Sequence, residues 1–431
     1  MESTSFCKRY IDLMRYDKLH NSLPFLSFIA VFLIVVANVL VAVYIDHEDA
    51  ERTLIALDDL ILLFIMLFNA IRRNVRNDCR NLIELIEDEF DVDRREFDGR
   101  EDKLMRLEKY LENNRIHLRE VAKSISRFFA IICVLTVNKN MATYFFTSVD
   151  YEPTSWPTAQ LTYHPPQFNS LLFFLYLYFL HGLLITIFVL DAFTIIILVC
   201  LSTEKILSDF QMLYTFLADL ACDYADTDHL SNIMSSSGRD LTKQQVCLLK
   251  QSAYYLRKDM GRIVHCHQNL IKNFKTLVHN SEFEHSVIVV TMVLYSCTVA
   301  YSMLMSNDIL KKVTFAAIFG IMNICMFLVF FNGQRIFNQN DVLRQTLAEV
   351  PWIDKPYWFK QTLHIMMTRA HIDFELRPFG IYILNYVAFK DVSIQYICIC
   401  FIYAYEYIYI VSNTLKTSWF KCDLLVNFLT I

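Results

Sequence analysis

The chain has 431 residues, of which 55% are apolar and 14% aromatic, and carries a formal net charge of −5. A composition this apolar, with several charge-free runs of spanning length, excludes a soluble domain and reads as a polytopic membrane protein. Only seven glycines occur, too few for turn-dense β architecture or a Gly-rich phosphate loop, so an all-α fold of long helices is expected.

Leu23 to Ile45 contains no charge and is long enough to cross roughly 30 Å of hydrocarbon at about 1.5 Å per residue. It lacks a small-residue cleavage site and is expected to insert as a signal anchor. Leu54 to Ile71 forms a second span, with Asp58 and Asp59 near one end. After it, Leu82, Ile83, Leu85, Ile86 and Phe90, then Leu104, Leu107 and Leu111, recur at helical spacing, with Asp98 and Gly99 marking the break between two amphipathic helices. Phe128 to Thr147 is the third span and carries Lys139 near mid-depth. Ser170 to Leu201 is the fourth. It exceeds the length needed, so the spacing predicts a crossing by about Asp191 and a helix that runs on into water.

The second large loop is interrupted at Ser235, Ser236, Ser237 and Gly238, with Asp240 a candidate N-cap for the next helix. Ser286 to Met305 and Val313 to Asn332 are charge-free and form spans five and six, and Phe379 to Val411 is the seventh. The segments before span one and between spans two and three, four and five, and six and seven hold 33 Lys and Arg, against five in the alternate set. Cationic loops stay cytoplasmic. The N-terminus is therefore expected inside and the C-terminus outside, opposite to a G-protein-coupled receptor. On this reading residues 1–332 form a six-helix ligand-binding bundle with cytoplasmic extensions. Residues 333–431 form cytoplasmic anchor helices, a pore-lining helix and a short outer tail.

Candidate chemistry is sparse. No HExxH, GxSxG or P-loop occurs, so catalysis is not expected, and the charge sits between apolar runs in a way that offers nothing to nucleic acid. Of twelve cysteines only Cys422 falls outside, so no disulfide framework is indicated. Cys398 with Cys400, and His265-Cys266-His267, fit no complete metal site; neither metal nor cofactor is expected. Prolines lie at span edges or in loops, unlike the broken midplane helices of secondary transporters.

Ionisable groups within spans need partners or water. Lys139 fits two readings. It forms a salt bridge with Asp58 or Asp59, or it joins Asn138 and Tyr144 of span three, Tyr178 and His181 of span four and Tyr295 of span five in an outward-opening pocket for a small ligand. On the last span, steps of four, three and four join Gln395, Ile399, Ile402 and Glu406 into one helix face. Several copies around an axis would make a pore with an isoleucine constriction and an outer ring of Glu406 that concentrates cations. The competing reading has Glu406 snorkelling or hydrogen-bonded to a neighbouring tyrosine among Tyr403, Tyr405, Tyr407 and Tyr409.

The layout and the run Phe379, Gly380, Ile381, Tyr382, Ile383, Leu384, Asn385 resemble the insect gustatory receptor family, whose superfamily includes the insect odorant receptors. That family's signature, Thr-Tyr, five apolar residues, then Gln-Phe, is not preserved: counting from Gly380 puts Ile399 at the tyrosine and Tyr405-Glu406 at Gln-Phe. Tyr403-Ala404-Tyr405 resembles the paired tyrosines near the end of odorant receptors. The resemblance implies a ligand-gated, non-selective cation channel of four subunits in the plasma membrane, opened by a small tastant and embedded in membrane lipid. It implies as the alternative an odorant-type or non-conducting subunit that needs a separate co-receptor.

Overall fold

A computed structural model describes residues 2–14, 23–45, 60, 63–64, 67–68, 77–88, 90, 97, 100–147, 171–236, 243–305 and 309–394. Every regular element among them is helical: α1 Glu2–Met14, α2 Leu23–Ile45, α3 Asp78–Glu87, α4 Glu101–Thr147, α5 Leu171–Ser236, α6 Lys243–Met305, α7 Ile309–Glu349 and α8 Tyr357–Ala370. A further helix, α9, begins in the described segment 386–394.

α2 coincides with the charge-free run because its apolar side chains leave no polar face to pull it into water. Phe28, Phe32, Val35 and Val39 are buried against Leu60, Leu63 and Leu184. Leu33, Ile34, Leu40 and Tyr44 stay exposed on the other side, as suits a helix solvated by hydrocarbon. The expected second span, Leu54 to Ile71, lies outside the described residues except at five positions, and the seventh lies outside them beyond residue 394.

The four central helices have 47, 66, 63 and 41 residues. At about 1.5 Å per residue each is far longer than the thickness of a hydrocarbon core, about 30 Å, and each runs on as one helix. Stretches within Leu175–Tyr224, Gln251–Ala300 and Phe315–Glu349 are long and apolar enough to cross a bilayer. α5 passes through Asp191 and continues to Ser236, as its excess length predicts. The carboxylate at the turning point has a partner that periodicity does not reveal: the Tyr10 hydroxyl of α1 donates to Asp191 Oδ1 at 2.8 Å. This bond docks the N-terminal helix on α5.

Beyond the charge-free runs, the extensions pack through narrow apolar stripes. Phe210, Leu213, Leu217 and Leu220 of α5 face Ile263, Cys266, Leu270 and Leu277 of α6, with Ile336, Leu343 and Leu347 of α7 and Phe359, Leu363 and Met366 of α8 in the same core. The steps of three and four put one seam on each helix. Polar residues cover the rest, so burial from water holds this layer together. α3 adds Leu82, Ile83, Leu85 and Ile86, all buried, the stripe its spacing predicts.

Several charged groups in this layer are paired. Lys205 Nζ contacts Asp209 Oδ1 at 2.6 Å, and Asn273 Nδ2 donates to Asp209 Oδ2 at 2.9 Å. Arg335 grips Glu204 with two guanidinium nitrogens, one of them at 3.0 Å, the bidentate geometry that gives the strongest carboxylate pairs. Asp259 accepts from Arg100 at 2.6 Å and also pairs with Arg262. Burial pushes the nearby Cys266 thiol up to about 12, with Asp209 adding to the shift, so the thiol stays protonated and serves as core.

Candidate functional site

The segment joining α8 to α9 is held against one face of α7 by successive contacts. Arg344 Nε donates to the Ala370 carbonyl at 3.1 Å, and the same guanidinium pairs with Asp373. One turn back, Asn340 meets both backbone groups of Phe374: its Nδ2 donates to the carbonyl at 3.2 Å and its Oδ1 accepts from the amide at 2.8 Å. A side-chain amide thus replaces a strand neighbour, satisfying a buried backbone pair that no helix serves. The Phe374 ring lies edge-on between Phe210 and Phe274, at 5.1 and 4.9 Å.

Further along, the backbone makes its closest approach. A Cβ added at Gly333 would lie 2.1 Å from the Leu384 carbonyl oxygen, so only glycine admits the chain there. The Leu384 amide turns back to the Leu376 carbonyl at 2.9 Å. Gln334 Oε1 accepts from the Tyr386 amide at 3.0 Å, and Asn385 Oδ1 caps the new helix through the Ala388 amide at 2.8 Å. Phe389 then packs on Phe327 and Phe330, each at 5.6 Å. The first turns of α9 are thereby fastened to α7 by polar and aromatic contacts.

The run Phe379 to Asn385 differs from its sequence reading. An apolar stretch after Pro378 suggests that the last span begins at Phe379, whereas Pro378–Gly380 is a single 3-10 turn. Phe379 and Gly380 adopt the left-handed region, with φ of 49° and 70°, and helix resumes only at residue 386. Pro378 removes an amide and holds Arg377 extended, and the contacts of Leu384 and Tyr386 with α7 hold the chain beyond the turn. Lys390 and Asp391 lie exposed on the opening turns of α9.

The pore-face candidates Gln395, Ile399, Ile402 and Glu406 lie outside the described residues. Of the ligand-pocket candidates, Asn138, Lys139 and Tyr144 lie on α4, and their side chains are not among those described. Tyr178 and His181 are one turn apart on α5, the first half-buried and the second fully buried. Tyr295 is half-buried on α6, which packs along α5. Of these, the described Tyr178, His181 and Tyr295 do not line the apolar cleft formed by α6, Phe64, Phe68 and the 379–382 turn. Among the described residues no group of three His, Cys, Asp or Glu side chains is placed to hold a metal ion.

Sequence reasoning missed the α7 face of Gly333, Gln334, Asn340 and Arg344. The only advance signal is the rarity of glycine: one at the polar end of an apolar span, in a chain with seven, marks a close approach.

Long helices that run on from apolar stretches into a polar layer, with the last described helix clamped to its neighbour, define an all-helical protein of which three helices among the described residues are long and apolar enough to cross a membrane. The chain belongs to the 7tm odorant receptor family, whose model matches residues 90–393. Among solved structures, the chain is similar to the insect olfactory receptor OR5 from Machilis hrabei, at 11% identity and a TM-score of 0.59, covering 87% of this chain and 86% of that one. It is also similar to the same receptor in complex with eugenol, at 12% identity and a TM-score of 0.63, covering 93% of this chain and 98% of that one. No curated protein matches. The match identifies an insect chemoreceptor, and the family model that finds it is the odorant one, where the last-helix resemblance points first to the gustatory branch.

Proposed function

We propose that this chain is a chemoreceptor subunit of the plasma membrane that forms a ligand-gated, non-selective cation channel, gustatory in type and opened by a small extracellular tastant. The observation that carries the reading is the clamp of α9 to α7. A helix whose first turns are bonded to the bundle follows any movement of the bundle, and gating requires that link between a ligand site and a pore.

In this account four subunits, identical or mixed, each contribute the last helix. Gln395, Ile399, Ile402 and Glu406 face the axis, with the isoleucines as a dewetting gate and Glu406 as a cation-concentrating ring. The ligand sits in the outer half of the bundle near Asn138, Lys139, Tyr144, Tyr178, His181 and Tyr295, where aromatic and polar groups suit a small organic molecule. The eugenol complex of the similar olfactory receptor supports a small-molecule ligand. Recording from cells that express this chain alone against a tastant panel tests the reading, and silence to every compound with the protein at the surface counts against it.

A second reading is favoured by the match to the odorant receptor family: an odorant-type subunit that conducts only with a separate co-receptor. Currents that appear on co-expression and never without it select this reading. The orientation has its own test, since a C-terminal tag should stain intact cells and an N-terminal tag should not. Reversed staining would remove both readings.

A further inference from the structure

α4 presents a ladder of cations as it nears its apolar run. Arg115, Arg119, Lys123 and Arg127 recur at steps of four on one unbroken helix and are all exposed, while Leu118 and Ala122 turn another side of that helix into the core. Acidic neighbours on the helix do not neutralise the ladder. From residue 112 to 127 it sets these four cations against two carboxylates, Glu112 and Glu120. Arg115 contacts Glu112 at 3.4 Å and Lys123 contacts Glu120 at 2.9 Å, both half-exposed pairs that water screens and that exchange partners at little cost. The Lys123 bond holds the Glu120 carboxyl below its usual range, with Arg127 and Arg119 adding to the shift. Three cations thus crowd one carboxylate.

The same face then changes character. A further turn brings Ile131 and then Val134, 60% and 62% exposed, within the apolar run that starts at Phe128. Cations followed on one face by exposed β-branched residues match an amphiphile, with phosphate against the ladder and an acyl chain along the aliphatic steps. The length of the ladder narrows the headgroup. At about 1.5 Å per residue Arg119 lies roughly 12 Å along the axis from Arg127, a span that suits several phosphates rather than one phosphodiester.

We propose that this face of α4 binds an inositol phospholipid with several phosphates, whose headgroup pairs with Arg119, Lys123 and Arg127 and whose acyl chain lies on Ile131 and Val134. Guanidinium groups suit the role because they take phosphate oxygens two at a time. The placement of this end of α4 at the cytoplasmic leaflet rests on the orientation proposed above, which the excess of cationic loops supports. The affinity of the face for the lipid does not, since a nanodisc presents the headgroup on both sides, and neither does it need the channel reading.

The test uses the full chain in phosphatidylcholine nanodiscs doped with phosphatidylinositol bisphosphate that carries a diazirine on one acyl chain, followed by mass spectrometry of the labelled peptides. Labelling should concentrate on the peptide that contains Ile131 and Val134 and fall when the unlabelled bisphosphate lipid is added. Arg119→Gln, Lys123→Gln and Arg127→Gln should each weaken it roughly fivefold, the worth of one juxtamembrane cation. Lys109→Gln, which removes an exposed cation off the ladder, should leave it unchanged. Glu120→Gln should strengthen it several-fold, a gain that misfolding cannot produce. Labelling that ignores the ladder substitutions, or that weakens in Glu120→Gln, overturns the proposal. So does a phosphatidylserine probe at matched total charge that labels the same peptide as strongly, which would reduce the face to a general surface attraction. Soluble inositol trisphosphate that competes as well as the lipid would assign the face to a soluble phosphate and overturn it too.

Discussion

Replacing Gly333 by alanine adds one methyl group where there is no room. The new Cβ would lie 2.1 Å from the Leu384 carbonyl oxygen, 2.5 Å from the Leu384 Cβ and 2.9 Å from its carbonyl carbon. Carbon atoms pack at about 3.5 Å or more, so the Leu384 backbone must retreat by roughly 1 Å. Leu384 is fully buried and its amide is bonded to Leu376, which leaves no soft direction for the movement. Overpacking of this kind costs about 1–3 kcal/mol. The retreat also stretches the bond from the Tyr386 amide to Gln334 and loosens α9 from α7. Gly333→Ala should therefore lower the melting temperature of the detergent-solubilised receptor and raise the ligand concentration needed for half-maximal current. Gly320→Ala is the control, since its Cβ would meet open space. A Gly333→Ala protein that melts and responds like wild type would refute the clamp.

Three further outcomes are expected in the same layer. Asn340→Leu keeps the volume but strips both backbone groups of the buried Phe374 of their partner, and should cost about 2–4 kcal/mol, read by thermal unfolding. Asp259→Asn leaves Arg100 and Arg262 facing one another without their shared carboxylate; breaking a pair this buried should cost about 3 kcal/mol or more, and a melting curve matching wild type would show the network to be dispensable. Burial, with Arg369 adding to it, pulls the His267 imidazole from its ordinary 6.5 down to about 4. The unfolded chain takes up that proton near pH 6.5 and the folded chain only near pH 4, so this contribution to stability is complete above about pH 6.5 and lost as pH falls towards 4. His267→Gln should flatten the loss of melting temperature between pH 7 and pH 5, and an unchanged slope would place the sensitivity elsewhere.

Elements written in local periodicity were legible in the amino-acid sequence. The bounds of α2 follow from a charge-free run, and the buried face of α3 follows from Leu82, Ile83, Leu85 and Ile86 at helical spacing. The continuation of α5 through Asp191 followed from its excess length. The features that stayed hidden depend on partners far apart in the chain. Asn340 and Phe374 are 34 residues apart, Gln334 and Tyr386 are 52, and Tyr10 and Asp191 are 181; such bonds have no period and leave no compositional trace. Hydropathy also misled at Phe379, because a strained aromatic turn and a spanning helix are equally apolar. Of the candidate pocket, His181 is fully buried and Tyr178 and Tyr295 half-buried.

We propose that this chain itself lines a ligand-gated pore. The most direct measurement is current in excised patches without GTP, from cells expressing the chain with any co-receptor it requires, comparing wild type with Glu406→Gln. Ligand-evoked cation current should persist without GTP, and Glu406→Gln should shift the relative permeability or block by divalent cations, because removing a ring of carboxylates lowers the local cation concentration. Current that disappears without GTP, or permeation that Glu406→Gln leaves unchanged, would contradict the account.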